Sequence, residues 1–253
     1  MLETKFNHAP ILSKPACKTL SARLRLSRPI APYLTPMTQQ ILTLNSGHLS
    51  LESVLDVPDS SDKVPGVALC HPDPRYGGDM HNDVVVELAR VLVESGIAAL
   101  RFNMRGVGAS DGEFDRGNGE TDDALSALHT LELHERIDPS RIGVAGYSFG
   151  ASIAIQAAGE SSLVQAVVSI ACPAPIFRVL GSVELLQPKL FVMGDSDHNF
   201  PVEQFRFLTK RYSQPREVSV VVGADHFFRG VEPAVGEMTT RFFTRWLTGD
   251  QAD

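Results

Sequence analysis

Cysteine is scarce in this chain: Cys17, Cys70 and Cys172 are the three in 253 residues. They are odd in number, far apart and never in CxxC spacing. That argues against a disulfide framework and a zinc site and for a reducing, cytoplasmic setting. Positive charge is in deficit, with a formal net charge of −7, so the electrostatic footprint of a nucleic-acid binder is missing. No apolar run approaches the ~20 residues that span a bilayer. Internal repeats, long low-complexity stretches and the phosphate-loop pattern G-x-x-x-x-G-K-[ST] are also lacking. The stretch RGVGASDG starts like a dinucleotide fingerprint at Gly106 and Gly108, but Asp111 stands where the third glycine belongs. What is present is ordinary. Apolar residues make up 43% and charged residues 21%, and the length suits one α/β domain with a sizeable core.

Residues 1–36 differ from the rest. They hold Lys5, Lys14, Lys18, Arg23, Arg25 and Arg28 against one acid, Glu3, and are punctuated by five prolines from Pro10 to Pro36. The segment lacks the apolar centre of a secretory signal. It is expected to be a disordered basic leader or an over-extended start before Met37; the alternative is an organelle transit peptide. Residues 37–253 form the expected domain.

From Gln40 onward, strand and helix patterns alternate. Ile41–Leu44 and Leu49–Val57 read as a strand pair turning at Asn45, Ser46 and Gly47. Val64–Cys70, Ile97–Phe102, Arg141–Ala145, Val164–Ile170, Lys189–Met193 and Val218–Val222 read as further strands, the first a continuous apolar run. Helical spacing covers Met80–Glu94, Thr121–Leu133 with Thr121 as a possible N-cap, Phe149–Ala158, Val202–Tyr212 and Val235–Leu247. Strands alternating with helices predict an α/β fold: a mostly parallel sheet with helices on both faces.

GYSFG, Gly146–Gly150, fits G-x-S-x-G. Alone the pattern is common, but here it begins where the strand RIGVA ends and runs into the helix ASIAIQAA, the strand–turn–helix context that lifts a serine hydroxyl out of a sheet. Ser148 is thus a candidate nucleophile at a helix N-terminus. A serine needs a base. His226 follows the last predicted strand in VVVGADHFF, where a base would sit. The acid should leave the preceding strand, in KLFVMGDSDHNFP, where Asp195 and Asp197 both qualify. The spacing of Gly194, Asp197 and Pro201 favours Asp197 as the group that orients His226, with Asp195 as a turn residue.

These segments, with HPDPRYGGDMHN and RFNMRGVGASDGEFDRGNGETDDA, resemble the α/β-hydrolase superfamily over roughly residues 40–248, and within it the small, lid-poor, dienelactone-hydrolase-like serine hydrolases. The dienelactone hydrolases proper use a cysteine nucleophile, whereas position 148 is serine. The resemblance implies an α/β-hydrolase fold with a minimal lid and an oxyanion hole made by two backbone N–H groups. One comes from Phe149, after the nucleophile. The other comes from the loop after the third strand, where Pro72 and Pro74 cannot donate and Asp73 is the favoured residue. His71 would shape that loop.

Only residues 171–188 separate two strands where lids insert in this fold, so an open cleft is expected, lined by Tyr76, Met104, Phe149, Phe177 and Leu180. Arg105, Arg178 and Arg229 are candidates to bind a carboxylate. His71, Asp73, Asp79 and His81 lack the spacing of known metal sites, so neither metal nor cofactor is expected. The expected activity is hydrolysis of carboxylic esters of small or medium acyl groups through an acyl-enzyme on Ser148. A thioesterase or peptidase with the same residues, or a non-catalytic binding module on this scaffold, are the alternatives. The sequence leaves the natural substrate and oligomeric state open.

Overall fold

The computed structural model describes residues 37–249. The basic leader and Cys17 lie outside the described residues. Eight strands form one sheet: β1 (Met37–Ser46), β2 (Leu49–Pro58), β3 (Val64–Cys70), β4 (Ala98–Phe102), β5 (Ile137–Tyr147), β6 (Val164–Ile170), β7 (Lys189–Gly194) and β8 (Arg216–Val221). Their order is β1-β2-β4-β3-β5-β6-β7-β8. The β1–β2 and β2–β4 pairs are antiparallel and every other pair is parallel. This is the mostly parallel sheet expected from the alternation of strands and helices.

Six helices cover it: α1 (Asp83–Glu94), α2 (Asn118–Leu133), α3 (Phe149–Glu160), α4 (Ala174–Leu180), α5 (Val202–Thr209) and α6 (Glu232–Phe243), the last continuing into a π-helical turn, Thr244–Thr248. Side chains alternate across each strand, so the sheet divides the apolar interior in two. Ala68 and Cys70 of β3 and Ile142 and Val144 of β5 join the core beneath α2, α3, α4 and α5. Val67 and Leu69 of β3 and Ala145 and Tyr147 of β5 join the core beneath α1 and α6.

Local chemistry sets several boundaries. Pro65 falls in the central strand β3 and cannot donate to the ladder. The pairing of β3 with β5 shifts register between Val64 and Gly66, which accommodates it. Helix α1 begins at Asp83 rather than Met80, because the Asn82 side chain caps the Val84 N–H at 3.1 Å. Helix α2 begins at Asn118, ahead of the expected Thr121. Glu120, fully buried, reaches back to the Gly117 N–H at 2.6 Å and to Asp115 N–H at 2.7 Å, and Thr121 Oγ1 donates to the Gly117 carbonyl. The short helix α4 was not expected, its seven residues being too few to show a period.

Strands β3 and β5 are neighbours, yet α1 leaves β3 on one face and α3 leaves β5 on the other. The chain diverges there, opening a crevice at the carboxyl ends of the strands where α/β folds place ligands.

Candidate active site

Ser148 sits between β5 and α3 at φ 56° and ψ −118°, a left-handed value that a residue with a side chain adopts only when its surroundings enforce it. The surroundings do so. Ser148 N–H donates to the Ile170 carbonyl at 2.8 Å. An added Cβ on Gly146 would collide with the Gly150 carbonyl, and one on Gly150 with the Cys70 and His71 carbonyls. Both glycines of GYSFG are therefore needed for the turn to close on itself and on the end of β3.

Ser148 Oγ lies 3.0 Å from His226 Nε2, and His226 Nδ1 lies 2.7 Å from Asp197 Oδ2. The three residues come from the carboxyl ends of β5, β8 and β7. Asp197 is nearly buried. Its other oxygen accepts the Asn199 N–H at 3.0 Å. Burial pushes the Asp197 carboxyl up, but hydrogen bonds from His226 and Asn199 outweigh it and hold the group below the ordinary carboxylate range. An ionised Asp197 only accepts, so Nδ1 carries the proton and Nε2 of the neutral ring accepts from the serine hydroxyl. The imidazole is steadied further. Tyr147 O–H donates to the His226 carbonyl at 2.9 Å, and Phe227 packs edge-on against the ring. Asp195 takes no part in this relay; it accepts the Gly223 N–H at 2.7 Å and so ties the exits of β7 and β8 together.

The segment after β3 forms the opposite wall. His71 is wholly buried. Its Nε2 accepts the Met104 N–H at 3.1 Å, which leaves Nδ1–H to donate to the Pro72 carbonyl at 2.7 Å. Burial pushes its pKa down and keeps the ring neutral. Asp73 caps a single 3₁₀ turn, Pro74–Tyr76, accepting the Arg75 N–H. Among the described residues the Asp73 N–H has no protein partner, and Phe149, the first residue of α3, precedes the intrahelical ladder. Farther along, Met80 N–H donates to Asn103 Oδ1 at 2.8 Å and its carbonyl accepts from Arg101 Nη1 at 3.3 Å. Both Asn103 and Arg101 lie at the end of β4, a support that the sequence alone does not show because only the sheet register brings them to this loop.

A cleft of about 840 Å³ opens over Ser148. Tyr76, 88% exposed, and Phe149 line it, as do Ile176, Phe200 and Arg229. Three expected wall residues do not. Met104, Phe177 and Leu180 are core side chains: Met104 is fully buried, with only its N–H serving the site. Phe177 faces inward from α4 into a cluster with Phe191, Phe200, Phe205 and Tyr212. Its neighbour Ile176 takes the place on the wall. Of the three arginines, Arg105 is held by Asp123 and Arg178 bonds Gln204; Arg229 lines the cleft with its guanidinium over Phe227. His71, Asp73, Asp79 and His81 do not gather: among the described residues no group of three or more His, Cys, Asp and Glu could hold a metal ion. No described helix is long and apolar enough to cross a membrane.

The model of the dienelactone hydrolase family matches residues 109–246, more than half of the sequence and the part that carries Ser148, Asp197 and His226. The chain belongs to that family. An α/β serine hydrolase homologue from Coxiella burnetii is 36% identical with a TM-score of 0.71, over 80% of this chain and 96% of that one. An α/β serine hydrolase without lid from Xanthomonas campestris is 30% identical with a TM-score of 0.74, over 87% and 98%. An uncharacterized protein of Rickettsia prowazekii is 33% identical over 67% of this chain and 74% of its own length. The fold is that of the lid-poor α/β hydrolases, and this member of the dienelactone hydrolase family is a hydrolase.

Proposed function

We propose that this hydrolase cleaves carboxylic esters of small or medium acyl groups through an acyl-enzyme on Ser148. The observation that carries the reading is the unbroken relay from Ser148 Oγ through His226 to Asp197, at 3.0 and 2.7 Å, on a strained turn facing an open cleft. His226 Nε2 takes the hydroxyl proton as Ser148 Oγ attacks the ester carbonyl. The carbonyl oxygen becomes an oxyanion, held by the N–H groups of Phe149 and Asp73. The tetrahedral centre collapses, and His226 returns the proton to the departing alcohol. Water then gives a proton to His226 and attacks the acyl carbon, and Ser148 regains its proton as the acid leaves. Asp197 stabilises the imidazolium in both halves.

The cleft, with Ile176, Phe149 and Phe200 on its walls, suits apolar acyl groups with few polar anchors. The decisive comparison is wild type against Ser148→Ala on short p-nitrophenyl esters. Ser148→Ala is expected to lose hydrolysis by about 10³-fold or more while keeping its melting temperature. Labelling of wild type, and not of Ser148→Ala, by a fluorophosphonate probe is expected alongside. Undiminished turnover in Ser148→Ala would sink the proposal. A series of thioesters and amides of matched chain length then ranks the bond that is cleaved.

A further inference from the structure

An oxyanion donor on an aspartate poses a problem. The N–H that faces the developing negative charge belongs to a residue whose own side chain is negative and lies on the same cleft. Protonation does not remove that charge. Burial pushes the Asp73 carboxyl up, but the hydrogen bonds and charge of Arg75 prevail and hold it below the ordinary range, so it is ionised at neutral pH.

The structure shows what balances it. Asp73 Oδ1 accepts from Arg75 N–H at 2.9 Å and from Arg75 Nε at 3.0 Å, and Oδ2 accepts from Arg75 Nη2 at 2.6 Å. The carboxylate is thus occupied on both oxygens by one residue two positions away, in a turn stiffened by Pro74. The same guanidinium lies 4.7 Å from the Phe114 ring centroid. Phe114 in turn packs at 5.5 Å against Phe149. Arg75 therefore touches, directly or through one ring, both residues whose N–H groups would hold the oxyanion.

We propose that Arg75 is a positioning residue of the oxyanion site, neutralising the Asp73 carboxylate and turning it aside so that the Asp73 N–H can face the substrate oxygen. The inference rests on the ester-hydrolase reading above. Arg75 need not touch the substrate; it removes a charge that would oppose the transition state, an effect felt in kcat rather than in substrate binding.

The test is a kinetic cycle on p-nitrophenyl acetate at low ionic strength with wild type, Arg75→Gln, Arg75→Lys and the double variant Asp73→Asn/Arg75→Gln. Arg75→Gln is expected to lower kcat about three- to tenfold with KM changed less than twofold, and added salt should shrink the loss by screening the exposed charge. Arg75→Lys keeps the charge and should retain most of kcat. The double variant, lacking both charges, should recover at least half of the loss. Full kcat in Arg75→Gln overturns the proposal. So does a double variant as slow as Arg75→Gln, since a merely structural role for the arginine is not rescued by deleting its partner. Ser148→Ala in the same assay judges the underlying reading separately: turnover that survives it removes the ester mechanism whatever the arginine does.

Discussion

Asp197→Asn would preserve the outline of the carboxylate while offering His226 an amide that can donate as well as accept. The ring could then settle with its proton on Nε2, facing Ser148, the wrong tautomer for a base. The expected loss in kcat is about 10³-fold with little change in melting temperature, checked by steady-state kinetics beside a thermal melt. His71 makes the opposite case, because it serves geometry alone. His71→Leu fills similar space but leaves the buried Met104 N–H and the part-buried Pro72 carbonyl without their partner. Two unmet backbone groups cost roughly 2–4 kcal/mol together, to be read from the urea midpoint. The sequence pairs His226 with Ser148 and Asp197 but assigns His71 no partners. The order serine, acid, histidine selected His226 from eight histidines, but nothing in the string foretold that His71 would bond a backbone group 33 positions away.

Among the elements, the turn between β5 and α3 is crowded by backbone at both of its glycines. Gly150→Ala sets a methyl against the Cys70 and His71 carbonyls, where the backbone at the end of β3 must shift. A loss of about 1–3 kcal/mol, with a fall in ester turnover, is expected from a thermal melt and a kinetic assay of that variant. This turn was legible because its glycines are a direct record of backbone crowding. So were the buried strands, whose continuous apolar runs end in turn residues and are too short for a buried helix. Helix ends were less legible. Thr121 looked like a cap, but the buried Glu120 reaching back to Gly117 starts α2 three residues earlier. The wall of the cleft was misjudged where seven residues of α4 decide between neighbours. Phe177 turns to the core and Ile176 to the substrate side, a phase that short helices do not declare.

For the molecule as a whole, acid should be destabilising, and the signs of two groups agree. His71 is held neutral by burial, with its pKa below the ordinary 6.5. The unfolded chain therefore takes up a proton near 6.5 that the folded chain refuses, and stability declines as pH falls below that value. Asp197 has its pKa held below the ordinary 3.8. Its contribution is present above 3.8 and disappears as pH drops through the lower folded value. The melting temperature should thus fall as pH drops below about 6.5, through His71, and fall further below 3.8, through Asp197, as differential scanning calorimetry would record. The connection from β6 to β7 bears on a longer timescale. It crosses the rim in one short helix, with Ile176 on the cleft and Val179 and Leu186 out in solvent. Residues could be added there without disturbing strand pairing. A longer segment at that point would roof the cleft and narrow what enters it, so this connection is where the scaffold has room to acquire a new appetite while its chemistry stays as it is.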